Sequence, residues 1–136
     1  AAAAMELPDG RIVTGRASGL LGCASAMMLN ALKAMAGLPD VKLIATSALE
    51  PIQKLKTDCF GDFVAELHID EALIALSVSA SVNPMAELAL KQLVNLRGCQ
   101  VHMTVIPPHV DQKVFRKLGI DATSEAVYAT KRVYFD

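Results

Sequence analysis

An apolar stripe between residues 20 and 35 limits the folds open to this chain more than any other feature. Its side chains recur at three- and four-residue intervals, the spacing of one wide face of a helix. The stripe consists of Leu20, Leu21, Ala24, Met27, Met28, Ala31, Leu32 and Met35. Ser18 is the predicted N-cap and Gly37 the predicted C-terminal glycine. We expect this to be the central core helix, so Met28→Asp should unfold the domain and Ser25→Ala should be nearly silent.

Strand signals occur on both sides of this helix. "MELPDGRIV" predicts a β-hairpin, because a turn sequence at residues 8–10 separates two alternating segments. "VKLIAT" (41–46) predicts a short buried strand. "CQVHMTVI" (99–106) predicts a strand with Cys99, Val101 and Met103 on one face and His102 on the other. Residues 120–135 are expected to supply one or two closing strands.

Four further segments are predicted to be helical. Residues 47–56 begin either with a capping box of Ser47 and Glu50 or with Glu50 as the cap and Pro51 at the first position. Residues 70–82 favour a mostly buried helix, 84–97 a second one, and 109–118 a short one ended by Gly119. Strands that alternate with helices indicate an α/β fold, and the opening hairpin makes its sheet mixed.

Composition limits the class of protein. The chain has 136 residues, which predicts a single α/β domain spanning 1–136. A formal net charge of −1 indicates neither a nucleic acid nor a membrane surface as partner, and no apolar run reaches the length of a bilayer span. Three widely spaced cysteines fit a reducing cytoplasm. Apolar residues make up 53% of the chain, so we expect a homo-oligomer or contact with another domain.

One short motif raises the question of zinc chemistry. A zinc-dependent nucleoside deaminase has Cys-Ala-Glu at the start of a helix and Pro-Cys-x-x-Cys later in the chain. The order of elements here is similar to that fold, but the sequence reads Cys23-Ala24-Ser25 and lacks the second motif. Two of three ligands and the proton-transferring acid are therefore missing. We predict no bound metal and no cofactor, and Cys23 is interpreted as a small packed side chain.

Polar residues suggest where a ligand would bind. The segments "QKLKTD" (53–58) and "HIDE" (68–71) gather acids, bases and an imidazole around one predicted loop. The candidate ligand-binding residues are Arg16, Lys54, Lys56, Asp58, His68, Asp70, Glu71 and His102. The alternatives are a solvated helix face for the cluster and a structural histidine at His102. Residues 15–19, before the first helix, are either a weak phosphate-binding loop or a tight turn with an N-cap.

The segments "LPDGRIVTGR", "LEPIQKLKTD", "DEALIALSVSASVNPMAELALKQLVNLRGCQVH" and "FRKLGIDATSEAVY" together resemble the C-terminal region of an uncharacterised bacterial protein family, a domain of unknown function. The resemblance covers nearly the whole chain. It implies the C-terminal domain of a longer protein, and a three-layer α/β sandwich of cytidine-deaminase-like topology without the zinc site. The family's recurrent polar positions are the candidate residues together with Thr57 and Asn83, whereas His109 is outside its pattern.

The sequence supports three hypotheses about function. In the first, this is the C-terminal domain of a larger cytoplasmic protein, and it contributes polar residues to a small-molecule site shared with upstream domains. In the second, it is a structural or oligomerisation domain without a ligand. In the third, it binds a nucleotide-type ligand in a degenerate deaminase-like cleft. Convergence of Lys54, His68, Asp70 and His102 on one cleft would favour the first over the second.

Overall fold

A four-stranded mixed sheet is the centre of the fold in a computed structural model, which describes residues 1–62 and 65–128. Its strands are β1 (Ala2–Glu6), β2 (Ile12–Arg16), β3 (Gln100–Met103) and β4 (Asp121–Ser124). Their order across the sheet is β2-β1-β3-β4. β1 pairs antiparallel with β2 and β3, while β3 and β4 run parallel. The predicted α/β class with a mixed sheet is thus confirmed.

Five α-helices accompany the described part of the sheet. They are α1 (Cys23–Met35), α2 (Thr46–Asp58), α3 (Ile69–Ser79), α4 (Pro84–Lys91) and α5 (His109–Leu118). A 3-10 turn at Gln92–Leu96 extends α4. Helix α5 connects the parallel strands β3 and β4, and Gly119 ends it in the left-handed conformation that glycine adopts without strain.

Helix α1 packs so closely against the hairpin that there is no room for a side chain at Gly15. A β-carbon built on Gly15 of β2 would lie 2.1 Å from the backbone nitrogen of Met27. Gly15 therefore serves helix-to-strand packing. Met27 and Met28 are fully buried, as the apolar stripe predicts. The expected unfolding by Met28→Asp remains a prediction that this burial supports.

Two predictions about the first half of the chain were wrong. Helix α1 begins at Cys23 with Gly22 as its N-cap, because Ser18 instead accepts hydrogen bonds from the backbone of the loop at Leu20 and Leu21. Residues 41–46 form no strand. Leu43 and Ile44 within this segment are buried, which explains their apolar character without strand pairing.

Helix α2 begins earlier than predicted and uses neither of the two predicted caps. Its N-cap is Ala45, without a side-chain hydrogen bond, and Pro51 lies inside the helix. Helix α3 buries one face only, since Ile74 and Val78 are exposed. The segment predicted as one helix over 84–97 divides into α4 and the 3-10 turn. One closing strand is observed as β4, and a second one would fall on residues 129–135, outside the described residues.

The two faces of the sheet differ sharply. Side chains of Ala3, Met5, Val101 and Met103 are buried on one face, whereas Glu6, Ile12, Gln100 and His102 are exposed on the other. Within the described residues the second face has no helix over it. The three-layer arrangement and the cytidine-deaminase-like topology therefore stay predictions. None of the helices in the described ranges is both long enough and apolar enough to cross a bilayer.

Candidate functional site

A cleft of about 570 Å³ opens where the chain leaves the end of β3. The first residues of α1, α3 and α5 all contribute to its wall. In α/β sheets, ligands commonly bind outside the carboxyl ends of parallel strands, and this cleft lies at that edge. It is therefore the part of the described structure where a ligand site is most expected.

The cleft combines an apolar floor with few polar groups. Its lining residues are Ala1, Gly22, Cys23, Ala24, Glu66, His68, Met103, Val105, Ile106, Pro107, Pro108, His109, Asp111, Gln112 and Tyr128. Among these described lining residues there is no lysine and no arginine. The ionisable side chains are two carboxyls, two imidazoles, a thiol and the phenol of Tyr128. Such a cleft suits a small molecule with an apolar body and a few polar contacts.

Ser25 holds the segment that carries two of the lining side chains. Its hydroxyl is buried and donates a hydrogen bond of 2.8 Å to the backbone carbonyl of Leu67. The backbone N–H of Gly22 donates to the same carbonyl at 3.1 Å. Leu67 lies between Glu66 and His68, so these bonds fix both side chains at the start of α1. Ser25 is thus a structural residue, and Ser25→Ala is no longer expected to be silent.

Asp111 is the most buried acid of the cleft, with 4% of its surface exposed. It lies in the first turn of α5, and its Oδ1 accepts a hydrogen bond of 3.0 Å from the backbone N–H of Ile69, the first residue of α3. Burial raises the pKa of Asp111, and the Ile69 hydrogen bond and the nearby His68 only partly oppose that shift. The protein thus holds a carboxyl group where its charged form is disfavoured.

Glu66 and Cys23 share this environment. Burial raises the pKa of Glu66, and nearby basic groups, among them His68 and Lys56, act in the opposite direction. Burial also raises the pKa of the Cys23 thiol, and the nearby Asp111 and Glu66 reinforce the shift. Cys23 is therefore a neutral thiol and not an activated nucleophile, because nucleophilic attack requires the thiolate.

A buried ion pair lies beside the cleft at the start of α3. The ammonium of Lys56, a residue with 4% exposure, is 2.8 Å from Oε1 of Glu71 and donates to the backbone carbonyl of Glu66 at 2.7 Å. Oε1 of Glu71 also accepts from the backbone N–H of His68 at 2.8 Å. Lys56 and Glu71 are thus paired with each other and with the backbone that positions Glu66 and His68.

The other predicted candidates lie apart from this cleft. Arg16 is exposed in β2, and Lys54 and Asp58 are exposed on α2. Asp70 accepts a hydrogen bond from the backbone N–H of Glu71 in the first turn of α3. His102 is exposed on the uncovered sheet face, with Nδ1 2.8 Å from the Thr123 hydroxyl. Of the eight candidates, only His68 lines the cleft. Lys54, Asp70 and His102 do not converge with it, so the convergence that would favour the first hypothesis over the second is not observed.

Sequence reasoning missed Glu66, His109 and Asp111 as lining residues and interpreted Cys23 only as core. Glu66 lies just before the predicted "HIDE" segment but was not included in it, whereas Asp111 is an isolated acid that no cluster marks. The one available signal was position, because Asp111 follows Pro107-Pro108 at the end of the clearest strand. In the part of the chain that the structure describes, no three His, Cys, Asp or Glu side chains are grouped so as to hold a metal ion.

The sheet and its helices define a small α/β domain with a cleft at the edge of the sheet. The chain belongs to the family described as "Domain of unknown function DUF1846, C-terminal", whose profile matches residues 1–134. It is thus the C-terminal region of this family, as the sequence motifs indicate.

Relatives occur in several bacterial groups. The chain is 54% identical to the UPF0371 protein CE2832 of Corynebacterium efficiens over 134 residues, which cover 98% of this chain and 27% of that protein. It is 45% identical to the UPF0371 protein FN1121 of Fusobacterium nucleatum, over 99% of this chain and 27% of that protein. The chain therefore spans about a quarter of the length of these relatives.

Proposed function

We propose that this domain supplies one wall of a small-molecule-binding site, and that the preceding domains of a longer bacterial protein complete it. The observation that carries this proposal is the cleft itself. Two acids with raised pKa values, Glu66 and Asp111, line a mostly apolar cleft without a lysine or arginine among its described residues. Groups held against their preferred ionisation in a cleft are typical of functional sites.

The sequence-predicted residues take two roles in this proposal. His68 contacts the ligand directly, since it lines the cleft together with the two acids. Lys56 and Glu71 position the backbone around His68 and do not touch the ligand. The exposed residues Arg16, Lys54, Asp58, Asp70 and His102 stay candidates for contact with the preceding domains, because none of them lines the cleft.

Ligand screening of the intact protein tests this proposal. A panel of small amines, carboxylates, phosphate esters and alcohols is added, and the melting temperature is followed. We expect at least one class to raise the melting temperature of the wild type, since a ligand that binds only the folded state stabilises it. The effect should disappear in His68→Ala and persist in His102→Ala, a matched control on the uncovered sheet face. A panel without any stabilising compound, or equal effects in both variants, would contradict the proposal.

A second candidate function, as an assembly domain, is favoured by the exposed apolar residues of α3 and α4. Ile74, Val78 and Val82 are 62%, 67% and 87% exposed, and Met85 and Leu88 follow on α4 at 42% and 49%. Monomeric proteins seldom expose a continuous apolar surface of this kind. We propose that this surface contacts the preceding domains or a second copy in a homo-oligomer. Sedimentation equilibrium of the intact protein and its Val78→Asp variant tests whether the partner is a second copy. If it is, the variant should have a lower molar mass in solution than the wild type.

We also propose a cytoplasmic location. Cys23, Cys59 and Cys99 are all free thiols, as expected where thiols are kept reduced. Fractionation of a bacterial relative's cells, followed by thiol labelling of the protein, tests this proposal. Recovery from an oxidising compartment with cysteine pairs formed would contradict it.

A further inference from the structure

We propose that the cleft at the end of β3 binds the ammonium group of a small amine with an apolar body, and that Glu66 and Asp111 are its acceptors. This inference rests on the proposed small-molecule function and names the class of ligand. It follows from the hydrogen-bond acceptors that the cleft offers and from the absence of lysine and arginine among its described lining residues.

Asp111 has spare acceptor capacity. Its Oδ1 is occupied by the backbone N–H of Ile69, and its other carboxylate oxygen has no donor among the described residues. A carboxylate can accept about four hydrogen bonds. Asp111 is almost fully buried, and it lines the cleft. Further donors can therefore reach its carboxyl group only from the cleft. Asp111 is therefore built to receive donors from a molecule in the cleft.

Glu66 adds a second acceptor at the same cleft. The structure records a hydrogen bond from Lys56 to its backbone carbonyl and none from a described residue to its carboxyl group. Oε2 of Glu66 lies near Gly22, 3.7 Å from where a β-carbon of that glycine would stand. The Lys56 ammonium donates to the Glu71 carboxylate at 2.8 Å, and the structure records no hydrogen bond from it to the Glu66 carboxyl group. The cleft thus offers two carboxyls and no lysine or arginine to neutralise them among its described lining residues.

The helix ends at the cleft do not reverse this preference. The positive ends of helices attract anions, and three of them meet here. However, Asp111 already lies in the first turn of α5 and caps the first N–H of α3, while Glu66 lies beside the start of α1. The protein's own carboxylates therefore occupy the positions that an anionic ligand would take. A ligand anion would also meet like charge in an apolar setting, where repulsion is strongest.

The remaining lining fits an apolar body. Met103 at the end of β3 and Val105, Ile106 and Pro107 beyond it line the cleft with apolar side chains. An amine whose carbon chain contacts this segment would bury apolar surface while its ammonium contacts the two acids. His68 and His109 flank the acids and can accept or donate one further hydrogen bond each.

Three probes of equal chain length test the ligand class on the intact protein: hexylamine, hexanoate and hexanol. We expect hexylamine to bind about tenfold more tightly than either of the others, as measured by calorimetry or ligand-observed NMR. Glu66→Gln and Asp111→Asn should each weaken hexylamine binding by about fivefold or more, because each removes one charge from the ammonium site. Asp121→Asn, at the far end of β4, is the matched control and should bind as the wild type does.

The outcomes separate this inference from the proposed function. If hexanoate or hexanol binds as tightly as hexylamine and still depends on His68, the cleft binds small molecules but the ammonium assignment is wrong. If hexylamine binds equally well to wild type, Glu66→Gln and Asp111→Asn, the two acids are not its acceptors and the inference is overturned. If no probe binds and the wider panel also fails, both the inference and the proposed function fall.

Discussion

Two groups of buried charge lie on either side of the first turn of α3, and they are built in opposite ways. On one side, Lys56 and Glu71 form an ion pair of 2.8 Å, and each also bonds the backbone. On the other, Glu66 and Asp111 face a cleft of about 570 Å³ without a lysine or arginine among the described residues that line it. The first pair is satisfied within the protein, whereas the second still has acceptor capacity free.

The difference distinguishes charges that hold the fold from charges that serve a ligand. A buried charge is costly unless it is paired and hydrogen-bonded, so an unpaired one must be tolerated for another reason. Burial raises the pKa of both Glu66 and Asp111, which means that their charged forms cost stability. Proteins commonly give up stability at sites of function. The comparison therefore supports the proposal that Lys56 and Glu71 hold the fold while Glu66 and Asp111 bind a ligand.

Breaking the ion pair of Lys56 and Glu71 should have the largest effect on stability. Lys56→Met leaves Glu71 without its cation in a mostly buried position, and we expect the free energy of unfolding to fall by about 3 kcal/mol. Urea unfolding followed by circular dichroism measures the change. Lys56→Met combined with Glu71→Gln should recover a large part of the loss, since no unpaired charge remains. A double variant as unstable as Lys56→Met would show that packing of the lysine stem matters more than its charge.

A smaller effect is expected at the hydroxyl that ties α1 to the cleft wall. Ser25→Ala removes a buried hydrogen bond of 2.8 Å to the Leu67 carbonyl. Because Gly22 still donates to that carbonyl, we expect a loss of only about 1 kcal/mol. Ser77→Ala, on the exposed side of α3, is the matched control. Equal unfolding curves for Ser25→Ala and wild type would show that the bond contributes nothing.

The smallest expected effect is the pH dependence of stability that Glu66 and Asp111 cause. A carboxyl whose pKa is raised by folding binds its proton more tightly in the folded state. Its stabilising contribution is complete below the ordinary carboxyl pKa and is lost as pH rises through the raised value. The double variant Glu66→Gln/Asp111→Asn does not lose stability in this way, because its amide side chains do not titrate. We therefore expect the wild type to lose stability relative to that variant as pH rises from about 4 to 7. If the wild type instead gains stability relative to the variant as pH rises, the folded protein stabilises the two acids as anions.

The sequence predicted the class of fold but not the site, and the reason is physical. Helix α1 and the faces of β3 follow from periodicity, which reports the burial of Met27, Met28, Val101 and Met103. Periodicity does not report which segments pair, so the apolar residues 41–46 were predicted as a strand although Leu43 and Ile44 are buried in irregular structure.

The cleft depends on contacts between distant segments, which local patterns do not encode. Asp111 meets the start of α3 across 42 residues of chain, and Ser25 meets Leu67 across the same separation. The predicted cluster of Lys54, Lys56 and Asp58 was a neighbourhood in sequence only. Alternate residues of α2 point to different sides, so Lys56 is buried while its neighbours are exposed. His68 was found because it happens to lie where the cleft wall and the sequence cluster overlap.

The most direct test of this distinction applies one chemical change on each side of α3. Glu71→Gln and Asp111→Asn each replace a carboxylate by an amide of nearly the same shape, and urea unfolding at neutral pH gives the free energy of unfolding of each variant. We predict that Glu71→Gln loses about 2 kcal/mol, because Lys56 loses its counter-ion, and that Asp111→Asn is as stable as the wild type or more so. Equal losses in the two variants would contradict the account, since Asp111 would then be as much a structural residue as Glu71.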